Sequence, residues 1–125
     1  MSAVTPEQVI EQFAERLNQG DVEGALALYH EDATFAAQPG AVVQGTDAIR
    51  AALDSFADLN PSLSGTIEKA LTAGDVALVV NRWTLEGRER NGRPVRMAGV
   101  SADVVRRDAD GSWKIAIDDP WGGVA

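Results

Sequence analysis

The apolar residues change their period once, near residue 60, and that switch constrains the fold more than any other property of the chain. Before it, apolar positions recur at helical spacing. Thr5-Pro6-Glu7-Gln8 predicts a helix start, with Thr5 as N-cap, Pro6 at the first helical position and Gln8 placed for a capping box. Val9, Ile10, Phe13, Ala14 and Leu17 form the stripe of that helix, and Gly20 ends it. Asp21 predicts the cap of a second, short helix with Val22, Ala25, Leu26 and Tyr29 on one face. Ala33 to Ala36 reads as a short strand. Thr46 or Asp47 is expected to cap a third helix striped by Ala48, Ile49, Ala52, Leu53 and Phe56, which Asn60-Pro61 stops.

After residue 60 the period falls to two. Ser62–Ala73 alternates around Leu63, Ile67 and Leu71, Gly74-Asp75 turns the chain, and Val76–Glu86 is rich in Val, Leu and Trp. Asn91-Gly92 is a strong hairpin signal between that strand and Val95–Arg107, and a last strand runs from Trp113 to Trp121. Helices come first and long strands follow, with no repeat and no linker, so residues 1–125 read as one α+β domain. The expected architecture is three N-terminal helices packed in the concavity of a strongly curved, mainly antiparallel sheet, a cone-shaped α+β barrel.

Composition removes several chemistries. The chain has no Cys and a single His, His30, so thiolate sites and cysteine nucleophiles are absent, and a zinc or iron centre lacks its usual nitrogen and sulfur ligands. Neither metal nor organic cofactor is expected. Eleven Lys+Arg against 19 Asp+Glu leave a formal charge of −8, which opposes a nucleic-acid partner. Arg82, Arg88, Arg90, Arg93 and Arg96 cluster, but Glu86 and Glu89 lie inside the run, which reads as the polar face of an exposed hairpin. No apolar run approaches the length of a membrane span, and the N-terminus lacks the basic start and apolar core of an export signal, so a cytoplasmic location is expected.

The run from Asn18-Gln19-Gly20-Asp21 through Tyr29-His30-Glu31-Asp32-Ala33-Thr34-Phe35 resembles the helix-turn-helix-strand signature of the nuclear transport factor 2-like superfamily. Val43-Gln44-Gly45-Thr46-Asp47-Ala48-Ile49 and the closing hairpin Ala102 to Ile115 are similar to its ketosteroid isomerase and SnoaL-like polyketide cyclase branch. This superfold hosts isomerases, hydrolases, cyclases, dehydratases and non-catalytic adaptors. The isomerase site has an aspartate base and an oxyanion hole made of a tyrosine and a protonated aspartate. By resemblance the tyrosine falls at Phe13 and the base at Ala37, neither of which can do that chemistry, while the protonated aspartate is retained at Asp103 and a pocket tryptophan at Trp121. The chain is therefore not an ordinary ketosteroid isomerase. The resemblance also implies a homodimer through the sheet, with outward residues such as Val100, Ala102 and Val104 half-apolar.

Alternation supplies a substitute for the missing base. It puts Trp113, Ile115, Ile117, Asp119 and Trp121 on one face of the last strand, and Lys114, Ala116 and Asp118 on the other. Met97, Gly99, Ser101, Asp103 and Val105 share a face of the neighbouring strand. Asp103 and Asp119 are thus expected to meet in one apolar cavity as an acid and a base, with Phe13, Tyr29, Ser101, Ile117 and Trp121 as ligand contacts. Plainer roles stay open: Asp103 as a backbone acceptor, Asp119 as a turn former before Pro120, Tyr29 as core, His30 as the end of the second helix, and Trp83 and Trp113 as sheet packing or subunit contact. Two functions also stay open. One is an isomerase, cyclase, dehydratase or hydrolase acting on an apolar small molecule, and the other is a non-catalytic dimeric small-molecule-binding protein.

Overall fold

The computed structural model describes residues 3–123. Three helices, α1 (Pro6–Asn18), α2 (Val22–Leu26) and α3 (Thr46–Ala57), accompany six strands. These are β1 (Tyr29–Gln38), β2 (Ala41–Gln44), β3 (Ser62–Ala73), β4 (Val76–Arg88), β5 (Pro94–Arg107) and β6 (Trp113–Asp119). The strands form one curved sheet in the order β2-β1-β6-β5-β4-β3. Every neighbouring pair is antiparallel except β1 and β6, which run parallel. The expected α+β architecture is the observed one.

Local chemistry accounts for most element ends. The Thr5 hydroxyl accepts from Gln8 N–H at 3.2 Å, and the Gln8 side chain reaches back to Val4 N–H at 2.8 Å. Asp21 Oδ1 accepts from Gly24 N–H at 2.9 Å. α3 departs from expectation: Gly45, at φ 89°, is its N-cap, and neither Thr46 nor Asp47 caps it with a side chain. Glycine suits that left-handed φ, and the Gly45 N–H is taken by Ala33 O at 3.0 Å. α2 is also shorter than its apolar stripe suggests. Tyr29 and His30 belong to β1, because Ile115 N–H donates to Leu28 O at 2.7 Å and draws the chain alongside β6.

The core lies between the helices and the concave face of the sheet. Val9 and Ile10 of α1, Ile49 and Leu53 of α3, and Phe35, Val79, Val105 and Ile115 of the sheet are buried together. Trp113 joins this core, its ring under the Arg107 guanidinium at 5.7 Å. At the edge strand β3, Asn18 completes the ladder from α1. Its Oδ1 accepts Leu63 N–H at 2.6 Å and its Nδ2 donates to Leu63 O at 2.8 Å.

One irregularity in β6 sets which of its acids faces the core. Val104 lies opposite Ile117 and Val105 opposite Ile115, so Ala116 is an extra residue, a β-bulge. Below it, Trp113 and Ile115 face the core. Above it the alternation is inverted: Ile117 is 45% exposed and Asp118 only 8%. Asp118, not Asp119, therefore turns inward, opposite Asp103 on β5.

Candidate active site

A cavity of about 200 Å³ opens between α1, α3 and the concave face of the sheet. The helices contribute Phe13 and Phe56, and the sheet contributes Phe35, Leu85, Met97 and Trp83. Trp121, beyond the end of β6, closes over Trp83 edge to face, with ring centroids 5.1 Å apart. Trp83 is fixed at its other end by donating Nε1–H to Pro120 O at 2.8 Å. Gly99, its cross-strand partner, gives it space: a Cβ there would come within 3.0 Å of the indole. The lining of this pocket is largely apolar. An engineered apolar cavity of roughly 150 Å³ holds benzene, so about 200 Å³ suits a one- or two-ring molecule.

Polar groups gather on one wall. Asp103 and Asp118 both line the cavity and hydrogen-bond to each other across the β5–β6 pair. Each is held by further donors. Tyr29 donates its hydroxyl to Asp118 Oδ2 at 2.6 Å, Ser101 Oγ lies 3.1 Å from Asp103 Oδ2, and Asp119 N–H donates to Asp103 Oδ1 at 3.1 Å.

The electrostatics separate the two acids. Burial pushes the Asp103 carboxyl well above its ordinary range, and the neighbouring Asp118 carboxyl pushes it further. Burial raises Asp118 as well, but hydrogen bonds from Asp103 and Tyr29 offset part of that rise. Both carboxyls are thus held toward the protonated form and titrate as a pair. Tyr29 remains a hydroxyl, because burial and the adjacent Asp118 push its pKa well above the usual phenol value.

The expected residues separate as follows. Phe13, Ser101, Asp103 and Trp121 line the cavity, as does Ala37. Tyr29 stands behind the wall, buried against Phe13 at 5.9 Å and hydrogen-bonded to Asp118. Asp119 and Ile117 do not line it. The bulge at Ala116 sends Ile117 to the outer face, and Asp119 makes the turn before Pro120, its Oδ1 accepting Trp121 N–H at 3.2 Å. Val100 is not open for subunit contact either. The chain's own 120–123 turn covers it, with Gly123 N–H donating to Val100 O at 2.9 Å. Asp118, Trp83 and Asn81 were missed as cavity residues. Among the described residues no three His, Asp or Glu side chains are grouped to hold a metal ion, and no helix is long and apolar enough to cross a membrane.

Three helices on a curved six-stranded sheet of this order form a nuclear transport factor 2-like fold. Residues 10–116 match the SnoaL-like domain, and the chain belongs to that family. Among solved structures it is similar to a candidate scytalone dehydratase from Novosphingobium aromaticivorans, with a TM-score of 0.79 and 22% identity over 90% of this chain and 77% of that one. It is similar to a ketosteroid isomerase-like protein from Erwinia carotovora atroseptica, with a TM-score of 0.79 and 19% identity over 90% and 88%. It also resembles an epoxide hydrolase/cyclase-like enzyme with a role in pyran ring formation in the polyether salinomycin, with a TM-score of 0.72 and 20% identity over 90% and 85%. At these identities the likeness is one of fold. No curated protein is similar enough in sequence to match.

Proposed function

We propose that the protein is an acid–base enzyme acting on a compact apolar molecule, with Asp103 as proton donor and Asp118 as proton acceptor. One observation carries this reading: two buried carboxyls face each other from adjacent strands and both open onto an apolar cavity. A fold gains no stability from such a pair, since burial opposes ionisation and the second charge worsens it. A catalyst gains a donor and an acceptor held at one place. Asp103 would give its proton to a substrate oxygen while Asp118 takes one from carbon, from a hydroxyl or from water, and the proton count of the pair is restored at the end of the cycle. The dehydratase, isomerase-like and epoxide-opening names of the structural neighbours all denote proton transfers of this type.

The test is turnover of three small probes: isomerisation of cyclohex-3-enone, dehydration of 3-hydroxycyclohexanone and hydration of cyclohexene oxide. Asp103→Asn and Asp118→Asn should each lower the observed rate by about 100-fold or more. Turnover of none of the three, or unchanged rates in both variants, would sink the proposal. Phe13 and Ala37, at the places where the resemblance puts tyrosine and base, favour a second reading, a non-catalytic binding protein. That reading predicts binding of the same probes without turnover.

A further inference from the structure

Asn81 is out of place on its strand. The inward face of β4 reads Ala77, Val79, Asn81, Trp83 and Leu85, so an amide interrupts an apolar row. Asparagine is a poor strand former, and a polar side chain set among apolar ones is costly unless it is paired. Asn81 is part-buried and lines the cavity, and among the described residues nothing hydrogen-bonds its side-chain amide. Its backbone, in contrast, is engaged, with Ser101 Oγ 3.3 Å from Asn81 O.

The neighbouring strand makes room for it. A Cβ on Gly65 would come within 2.8 Å of Asn81 Oδ1 and 2.9 Å of Nδ2. Glycine inside a strand gives up packing, and it marks a close approach. Glu68 is an extra residue in β3 beside the Ile67–Asn81 pair, a second bulge next to the cavity. Asn81 lies opposite Ser101, Asp103 is two residues further along β5, and Asp118 lies opposite Asp103. Diagonal neighbours on adjacent strands lie roughly 7–8 Å apart, so the wall offers two polar stations about one substituted six-membered ring apart. Phe13, Phe35, Phe56 and Trp121 enclose the apolar space beside them.

We infer that Asn81 is a specificity-determining residue and that the cavity takes a compact ring carrying two oxygens, one set against the Asp103–Asp118 pair and the other against the Asn81 amide. The inference rests on the reading of this cavity as the substrate site and deepens it by naming the substrate class. The amide can donate and accept, so the second oxygen can belong to a hydroxyl or a carbonyl.

Calorimetric titration with acetophenone and 4-hydroxyacetophenone tests it, the second probe differing only by the added oxygen. Wild-type protein should bind 4-hydroxyacetophenone about tenfold more tightly. Asn81→Leu, which keeps the volume, should abolish or reverse that preference, and Asn81→Ala guards against a packing defect by giving the same loss. Equal binding of the two probes by wild type, a preference retained in both variants, or no binding of either probe at millimolar concentration overturns the inference. Because the readout is binding, its failure is distinct from failure of the acid–base reading. A probe preference without turnover leaves Asn81 assigned, and turnover without preference removes this assignment alone.

Discussion

Replacing Tyr29 with Phe isolates the electrostatics of the acid pair. The variant keeps the ring, which packs against Phe13 at 5.9 Å and Phe35 at 6.2 Å, and removes only the hydroxyl that donates to Asp118 Oδ2 at 2.6 Å. A hydrogen bond to a charged group contributes about 1.5–3 kcal/mol and one to a neutral group about 0.5–1.5 kcal/mol. The cost should therefore depend on whether Asp118 is ionised. Its folded pKa lies above the unfolded reference of 3.8, raised by burial. Above that reference the native state holds more protons than the unfolded state, so this group's contribution falls as pH rises through the folded pKa. The Tyr29 bond favours the ionised form and moderates the fall. Without it the Asp118 pKa moves further up, and the variant loses stability more steeply with pH. Urea unfolding followed by far-UV circular dichroism should show a deficit of about 1 kcal/mol at about pH 4.5, growing to about 2–3 kcal/mol at about pH 8. Net charge is the same in both proteins, so general repulsion cancels. A deficit that is constant with pH, or that shrinks as pH rises, refutes the reasoning.

Three further outcomes are expected. Asp103→Asn removes one buried acid and supplies an amide donor to Asp118, so it should raise stability at neutral pH by about 0.5–2 kcal/mol and flatten its pH dependence, as urea midpoints will show. Asn18→Ala deletes both hydrogen bonds to the β3 backbone at Leu63 and should cost about 1–2 kcal/mol, with faster amide exchange at Leu63. The row Leu71–Leu78–Val104–Ile117 runs across four strands on the outer face, with Leu71 58% and Ile117 45% exposed. This row supports pairing of two copies through the sheet. Sedimentation should give a dimer at micromolar concentration and a monomer for Ile117→Lys, and a wild-type monomer would contradict it.

The period switch near residue 60 made the architecture legible, because helical stripes and strand alternation are written into the apolar positions themselves. The Asn91-Gly92 hairpin and the Thr5 and Asp21 caps were legible for the same local reason. Tyr29 was not: the residue fits a helical stripe, and only its pairing with β6 assigns it to a strand. Asp103 could be placed inward because β5 alternates without interruption at that point. Asp118 could not, because a bulge is a property of two strands, and nothing in Trp113–Asp119 alone marks Ala116 as unpaired. Asn81 was overlooked since its meaning depends on Gly65, sixteen positions earlier and on another strand.

The bulge at Ala116 also bears on how this pocket can change over evolutionary time. Adding or removing one residue in a strand exchanges its two faces, and such slips ordinarily replace an inward side chain with whatever stood beside it. Here the neighbours are Asp118 and Asp119, the same amino acid twice. A one-residue deletion before Asp118 turns Asp119 toward Asp103, whereas an insertion turns Ile117 there, so the acid pair survives a slip in one direction, which would erase a site built on a single carboxyl.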